Sequence, residues 1–204
     1  MDAQTHWELV YGTKAAGEVS WFCPHLETSL ALIERLAPDH SAAIVDVGGG
    51  AATLVDDLLS LGYRNLAVLD ISRTALAVTR ERLGPTAPEV KWLVADITQA
   101  SLEPDSCDLW HDRAVFHFLT WPSQRMNYVE KAASSIKSGG HLLLSAFGPD
   151  GPSKCSGLDV VRYNAEALQI EFGSAFHLLE SYTEWHTTPS GGRQQFTCCV
   201  LRKN

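Results

Sequence analysis

Two rhythms of apolar residues alternate along the chain. Short runs rich in Val, Ile and Leu, such as Ala43-Ile44-Val45 and Leu66-Ala67-Val68-Leu69, read as buried strands. Between them, apolar residues return every three or four positions, the spacing of one helix face. Leu26, Leu30, Ile33 and Leu36 mark the first such face over 26–37, and Pro38 stops it. The pattern predicts strands at 42–47, 65–70, 90–95, 108–112 and 141–147. It predicts helices at 51–61, ended by Gly62, and from a Ser72 cap to about Leu83. Two more follow, at 123–136, closed by Ser138-Gly139-Gly140, and from an Asn164 cap to about Phe172. Residues 148–157, rich in Gly, Pro and Ser, read as a loop. Two last strands, 176–188 and 194–201, flank Pro189-Ser190-Gly191-Gly192-Arg193 and should be antiparallel.

Strands alternating with helices give a mostly parallel sheet covered on both faces. The expected fold is α/β: a doubly wound seven-stranded sheet with one antiparallel strand from the C-terminal hairpin. The chain of 204 residues suits one domain, 1–204, with an N-terminal helical lid region at 1–40 and a Rossmann-like core at 41–204. At 45% apolar and 20% charged it is ordinary globular protein. A net charge of −8 disfavours nucleic acid as a partner. No apolar run approaches the roughly 18 residues of a membrane span. The N-terminus has no signal-peptide pattern, so a cytoplasmic location is expected. Five cysteines, an odd number without a C-x-x-C pair, read as reduced thiols, one of Cys198 and Cys199 being plain core. The histidines show no H-x-x-x-H spacing, and no metal site is expected.

The strand 42–47 stops in Gly48-Gly49-Gly50, and a second strand 20 residues on ends in Asp70. Strand, glycine turn, helix and acid-tipped strand form the unit that cradles an adenosine-containing cofactor. Gly48, Gly50 and then Thr53 break G-x-G-x-x-G, whereas Gly48, Gly50 and Ala52 keep small residues in G-x-G-x-G register. With Asp46 before it, this turn resembles the first motif of class I S-adenosylmethionine-dependent methyltransferases, in a small bacterial stand-alone form. The resemblance runs over most of the chain. It implies that Asp70, with Ile71 behind it, holds the ribose. Asp96, with Ile97, would hold the adenine amino group. Lys137-Ser138-Gly139-Gly140 resembles the family's turn before strand five. The implied cofactor is S-adenosyl-L-methionine, with S-adenosyl-L-homocysteine as product. Asp46 is expected to accept N–H bonds from the glycine turn and face the cofactor's amino group. Bland readings stand beside these: Asp70 as a helix cap, Asp96 as a turn cap.

The acceptor identifies itself less well, because in-line methyl transfer depends mainly on positioning. The segment Asp112-Arg113-Ala114-Val115-Phe116-His117 follows the fourth strand and would lie beside the methyl group. His117 is a candidate base, or a histidine packed among Phe116 and Phe118; Asp112 joins it as a catalytic candidate. Arg113 pairs with Asp112, or holds a carboxylate of the cofactor or of the acceptor. Trp7, Tyr11, Trp21 and Phe22 read as a lid or as simple packing. Lys154 and Cys155 are candidate acceptor contacts from the 148–157 loop. The expected reaction is methyl transfer to a small molecule, with protein lysine as the alternative acceptor. The expected assembly is a monomer or homodimer.

Overall fold

The structure, a computed structural model, describes residues 2–204. Helices α1 (Ala3–Thr13) and α2 (Glu27–Leu36) precede strand β1 (Ile44–Val47). Then follow α3 (Leu54–Leu61), β2 (Leu66–Asp70), α4 (Arg73–Leu83), β3 (Val90–Val94) and β4 (Cys107–Arg113). The chain continues through α5 (Pro122–Ser135), β5 (Ile136–Phe147), α6 (Ala165–Phe172), β6 (Phe176–Thr187) and β7 (Arg193–Lys203). Side chains cap three of the helices as their sequences require. Asp2 accepts from the Thr5 N–H at 2.9 Å, Ser72 from Ala75 at 3.1 Å and Asn164 from Ala167 at 2.8 Å.

The seven strands lie in the order β3-β2-β1-β4-β5-β7-β6. All run parallel except β7, which is antiparallel to both β5 and β6. Alternate side chains leave the sheet on opposite faces. Ile44, Val68, Leu109, Leu143 and Val200 pack under Ile33 of α2, Leu54 and Leu58 of α3 and Leu76 of α4. Val47, Leu69, Trp110, Leu142, Leu144 and Leu201 pack under Tyr128 of α5 and Leu168 and Phe172 of α6. Cys198 and Cys199 are both buried, one on each side of β7, and all five cysteines are free.

Three departures from the sequence pattern have local causes. The helix expected from Ala51 starts at Leu54, because residues 49–52 close a turn in which the Ala52 N–H reaches the Gly49 carbonyl at 2.8 Å. Strand β5 starts at Ile136 and carries Ser138-Gly139-Gly140 inside it. Cys107 pairs with Ile136 but Leu109 with His141, so the glycine pair forms a bulge instead of ending the segment. The loop 148–157 contains half of a small ladder, Lys154–Cys155 against Leu158–Asp159. Ser156 and Gly157 turn it with φ of 48° and 80°, the left-handed pair that a two-residue hairpin needs.

Candidate active site

Parallel strands all end at one edge of the sheet, and there the β-to-α turns converge. After β1 the chain turns sharply, with Gly48 at φ 72° and Gly50 at φ 29°. A Cβ on Gly50 would sit 2.6 Å from Asp70 Oδ2; one on Gly48 would strike Val115, and one on Gly49 the Asp46 carboxylate. The turn is therefore packed flush against its neighbours, leaving room for backbone alone. Beside it, Asp70 ends β2, and Asp96 lies just past β3. Asp70 Oδ1 accepts from the Ser72 N–H at 2.8 Å, which also shows that Ser72, and not Asp70, caps α4. Asp70 is buried, and its carboxyl is pushed up to about 7. Burial raises it most, the Ser72 N–H pulls it back, and the charges of Asp46 and Glu8 raise it further. Asp96 Oδ1 accepts from both the Thr98 N–H and its hydroxyl at 2.8 Å.

Asp46 departs from expectation. Its Oδ1 meets His111 Nδ1 at 2.8 Å, and His111 Nε2 meets Ser29 Oγ at 3.0 Å. Asp46 and His111 are register partners on β1 and β4, so the pairing follows from strand alignment. Its other oxygen lies against Gly49, but it takes no hydrogen bond from the glycine turn among the described residues.

A cavity opens between this edge and α1. Its walls include Val47, Gly48, Asp70, Ile71, Asp96, Ile97 and Arg113, with Trp7, Tyr11, Trp21, Phe118, Phe147 and Phe196 as aromatic surface. A smaller neighbouring cavity runs past Asp46, Gly49, Phe22 and His111 and shares Tyr11, Trp21, Gly48 and Arg113. Trp7 meets Trp21 edge-on at 5.5 Å and Phe118 at 5.0 Å, while Tyr11 meets Trp21 at 6.1 Å. Helix α1 is pinned in place by Glu8. Its carboxylate accepts from the Arg73 N–H at 2.7 Å and from the Thr74 N–H and Ser72 hydroxyl at 3.1 Å. Those N–H groups are the free donors of the first turn of α4, directly after Asp70. Burial pushes the Glu8 carboxyl up, but the hydrogen bonds from Thr74, Arg73 and Ser72 outweigh it and lower it.

Two catalytic candidates lie elsewhere. Asp112 is fully buried and points into the core. Tyr128 donates to it at 2.6 Å and the Val115 N–H at 2.9 Å, and burial pushes its carboxyl up to about 6. It makes no pair with Arg113. His117 is likewise buried behind the cavity wall, stacked on Phe147 at 4.3 Å. Its Nδ1 accepts from the Phe147 N–H at 3.1 Å, so the ring is neutral with its proton on Nε2. Burial, and then the charge of Arg113, push it down to about 3. With Nδ1 taken by a backbone donor, Nε2 buried without a hydrogen-bond partner and the ring outside the cavity lining, we read His117 as a packing residue rather than a base. Lys154 points to solvent and pairs with Asp159 at 3.1 Å, whereas Cys155 does line the cavity.

Arg113 stands where the cavities meet. Nη1 donates to the Trp21 carbonyl at 3.0 Å, and the guanidinium lies 4.9 Å from the Phe196 ring centroid. Nη2 is buried without a hydrogen-bond partner; the nearest carboxylate oxygen, Glu184 Oε1, is 4.0 Å away. The sequence reading missed Glu8, Phe147 and Phe196. Phe147 ends β5 and is the register partner of Phe196 within β7, and periodicity alone marks both only as core.

Residues 44–140 match the family described as a methyltransferase domain. The chain is 32% identical over 120 residues to a malonyl-[acyl-carrier protein] O-methyltransferase of Halalkalibacterium halodurans, covering 57% of this chain and 43% of that one. It is 26% identical over 101 residues to a mouse eEF1A lysine and N-terminal methyltransferase, covering 50% of this chain and 14% of that one. The chain thus spans less than half the length of these curated relatives. Among solved structures it is similar to one described for the conversion of a disulfide bond into a thioacetal group during echinomycin biosynthesis. That likeness has a TM-score of 0.79 at 15% identity and covers 100% of this chain and 92% of that one. It is also similar to Burkholderia thailandensis 1,6-didemethyltoxoflavin-N1-methyltransferase with 1,6-didemethyltoxoflavin and S-adenosylhomocysteine bound. Here the TM-score is 0.71 at 17% identity, with 99% and 88% of the two chains covered. At these identities the structures establish a shared fold.

Proposed function

We propose that this chain, a class I S-adenosylmethionine-dependent methyltransferase by its fold and by the domain at residues 44–140, moves a methyl group to a small-molecule acceptor. One observation carries the reading. A glycine turn and the carboxylates Asp70 and Asp96 share one sheet edge and open on an aromatic cavity roofed by α1. The residues fit the cofactor. The side-chain-free turn lets the backbone approach it closely. Asp70 lines the cavity with Oδ2 beside the Gly50 backbone, where its carboxyl can meet ribose hydroxyls, and Asp96 has one oxygen free toward an adenine amino group. Ile71 and Ile97 supply apolar surface for the ring.

The cofactor supplies an electrophilic sulfonium methyl whose leaving group is neutral, so the protein needs no acid to assist departure. Its task is to hold the acceptor in line and keep water out. Trp7, Tyr11, Trp21 and Phe118 form the wall that does this, and aromatic faces also favour a nearby cation. The malonyl-[acyl-carrier protein] and 1,6-didemethyltoxoflavin enzymes support a compact acceptor group.

The test has two stages. Calorimetric titration with S-adenosylhomocysteine should give one site per chain. Incubation with S-adenosylmethionine and a panel of small acceptors should release S-adenosylhomocysteine. A protein that binds neither nucleoside overturns the reading. The eEF1A-directed relatives favour a second reading, methylation of a protein lysine. Turnover on lysine peptides but on no small acceptor would replace the first reading with the second.

A further inference from the structure

The sheet order divides the cavity into two chemically different halves. Counting from β1 and its glycine turn, β2 and β3 lie on one side, with Asp70 ending β2 and Asp96 just past β3. On the other side, β4, β5 and β7 carry Arg113, Phe147 and Phe196. The first half is acidic and suits a nucleoside. The second is aromatic, with Arg113 as the cation among the described residues lining this cavity. The remaining ionisable groups there are Tyr11 and Cys155, and burial pushes both upward, so both stay protonated and neither is available as a base. The acceptor half thus offers a positive charge and no base. Arg113 is itself nine-tenths buried, and its Nη2 lacks a hydrogen-bond partner. Glu184 at 4.0 Å offsets part of the charge without filling the bond.

We propose that the acceptor atom enters this cavity already anionic, as a carboxylate or a thiolate, and that Arg113 is the group that anchors it. The inference rests on the methyltransferase reading above. The acceptor's lone pair forms the new bond to the methyl carbon. The electron pair of the breaking carbon–sulfur bond stays on sulfur, leaving a neutral thioether. One anion and one sulfonium become two neutral products, and no proton has to move. A cavity that already holds a guanidinium and a sulfonium repels an ammonium group, which sets this class apart from lysine. Carboxylate and thiolate share the charge that Arg113 recognises. The guanidinium's fork suits the two oxygens of a carboxylate, and the aromatic wall suits a polarisable sulfur.

The experiment compares wild type with Arg113→Gln and Arg113→Lys. Each protein is first checked for folding by circular dichroism and for S-adenosylhomocysteine affinity by calorimetry. Turnover is then measured on aryl carboxylates and aryl thiols beside matched phenols and arylamines. Carboxylates or thiols should be methylated in preference to their neutral partners, and which of the two responds identifies the source. Arg113→Gln should lower kcat/KM for that class about 30-fold, with Lys intermediate and nucleoside affinity unchanged. Preference for phenols or amines overturns the proposal, as does an equal loss of nucleoside affinity, which would move Arg113 to the cofactor. If no panel member turns over, quenching of Trp7 and Trp21 by aryl carboxylates and thiolates on the nucleoside-loaded protein decides. Quenching in wild type and not in Arg113→Gln supports the anchor; no quenching by either class overturns it. A wild type that fails to bind S-adenosylhomocysteine defeats the underlying reading instead.

Discussion

Asp70 joins sequence, energetics and function most directly. An acid at a strand tip was legible from one line of residues; its raised pKa was not, because that depends first on burial and then on the charges of Asp46 and Glu8 packed near it. With the carboxyl pushed up to about 7, the neutral form is favoured in the folded protein. Folding stability therefore falls as pH rises from the unfolded carboxylate range, near 4, through about 7. If nucleoside binding needs the ionised form, affinity should weaken below pH 7 by up to about tenfold per unit. Asp70→Asn should cost about 1–3 kcal/mol of S-adenosylhomocysteine binding, flatten its pH dependence and raise the melting temperature of the free protein at pH 8. Calorimetry and thermal scans between pH 5 and 8 check all three. His117 gives the opposite sign. Its folded pKa of about 3 lies below the usual imidazole value, so its neutral burial costs nothing above pH 6.5 and lowers stability as pH falls below it. His117→Ala should lose about 1–3 kcal/mol in denaturant titrations, since the Phe147 N–H loses its acceptor. Turnover per folded molecule should hold within a few-fold. A stable variant with turnover about a hundredfold lower would restore the base. Sequence alone left His117 open because a histidine beside aromatics fits both roles, and only its depth behind Phe147 separates them.

At the scale of elements, most of the chain was readable because strand periodicity, caps and glycine stops agree with one another. The exceptions are places where tertiary pairing overrides a local stop. The bulge at Ser138-Gly139-Gly140 keeps β5 paired to β4 through a sequence that otherwise signals an end. Helix α1 shows the other limit. Trp7 and Tyr11, one turn apart, marked the cavity face of α1, but Glu8 finds its partners 64 to 66 residues away, at the start of α4. Its carboxylate acts as a helix cap supplied from another element. Because its pKa is lowered, this contribution is present above the unfolded value near 4.5 and is lost as pH falls through the folded one. Glu8→Ala should cost about 1 kcal/mol of stability, the scale of a lost cap. It should also speed trypsin cleavage after Lys14 and raise the dissociation rate of S-adenosylhomocysteine in stopped flow. Unchanged cleavage and dissociation would mean that α1 is held by its aromatic contacts alone.

For the molecule as a whole, the strand order decides what meets what. The order β3-β2-β1-β4-β5-β7-β6 gathers two strand-tip acids on one flank of the glycine turn and a guanidinium with phenylalanines on the other. The repeated strand–helix pattern and the closing hairpin foretold this topology, and with it the edge at which the site would form. The contents of the aromatic half of the cavity were hidden, since Phe147 and Phe196 lie 49 positions apart and adjoin only through β5–β7 pairing. The most direct test of the whole account is a crystal structure with S-adenosylhomocysteine. It should place the ribose hydroxyls on Asp70, the adenine beside Asp96 and Ile97, and the sulfur turned toward Arg113 and the aromatic wall. A nucleoside bound away from the Gly48–Gly50 turn, or with its sulfur facing the acidic flank, would contradict it.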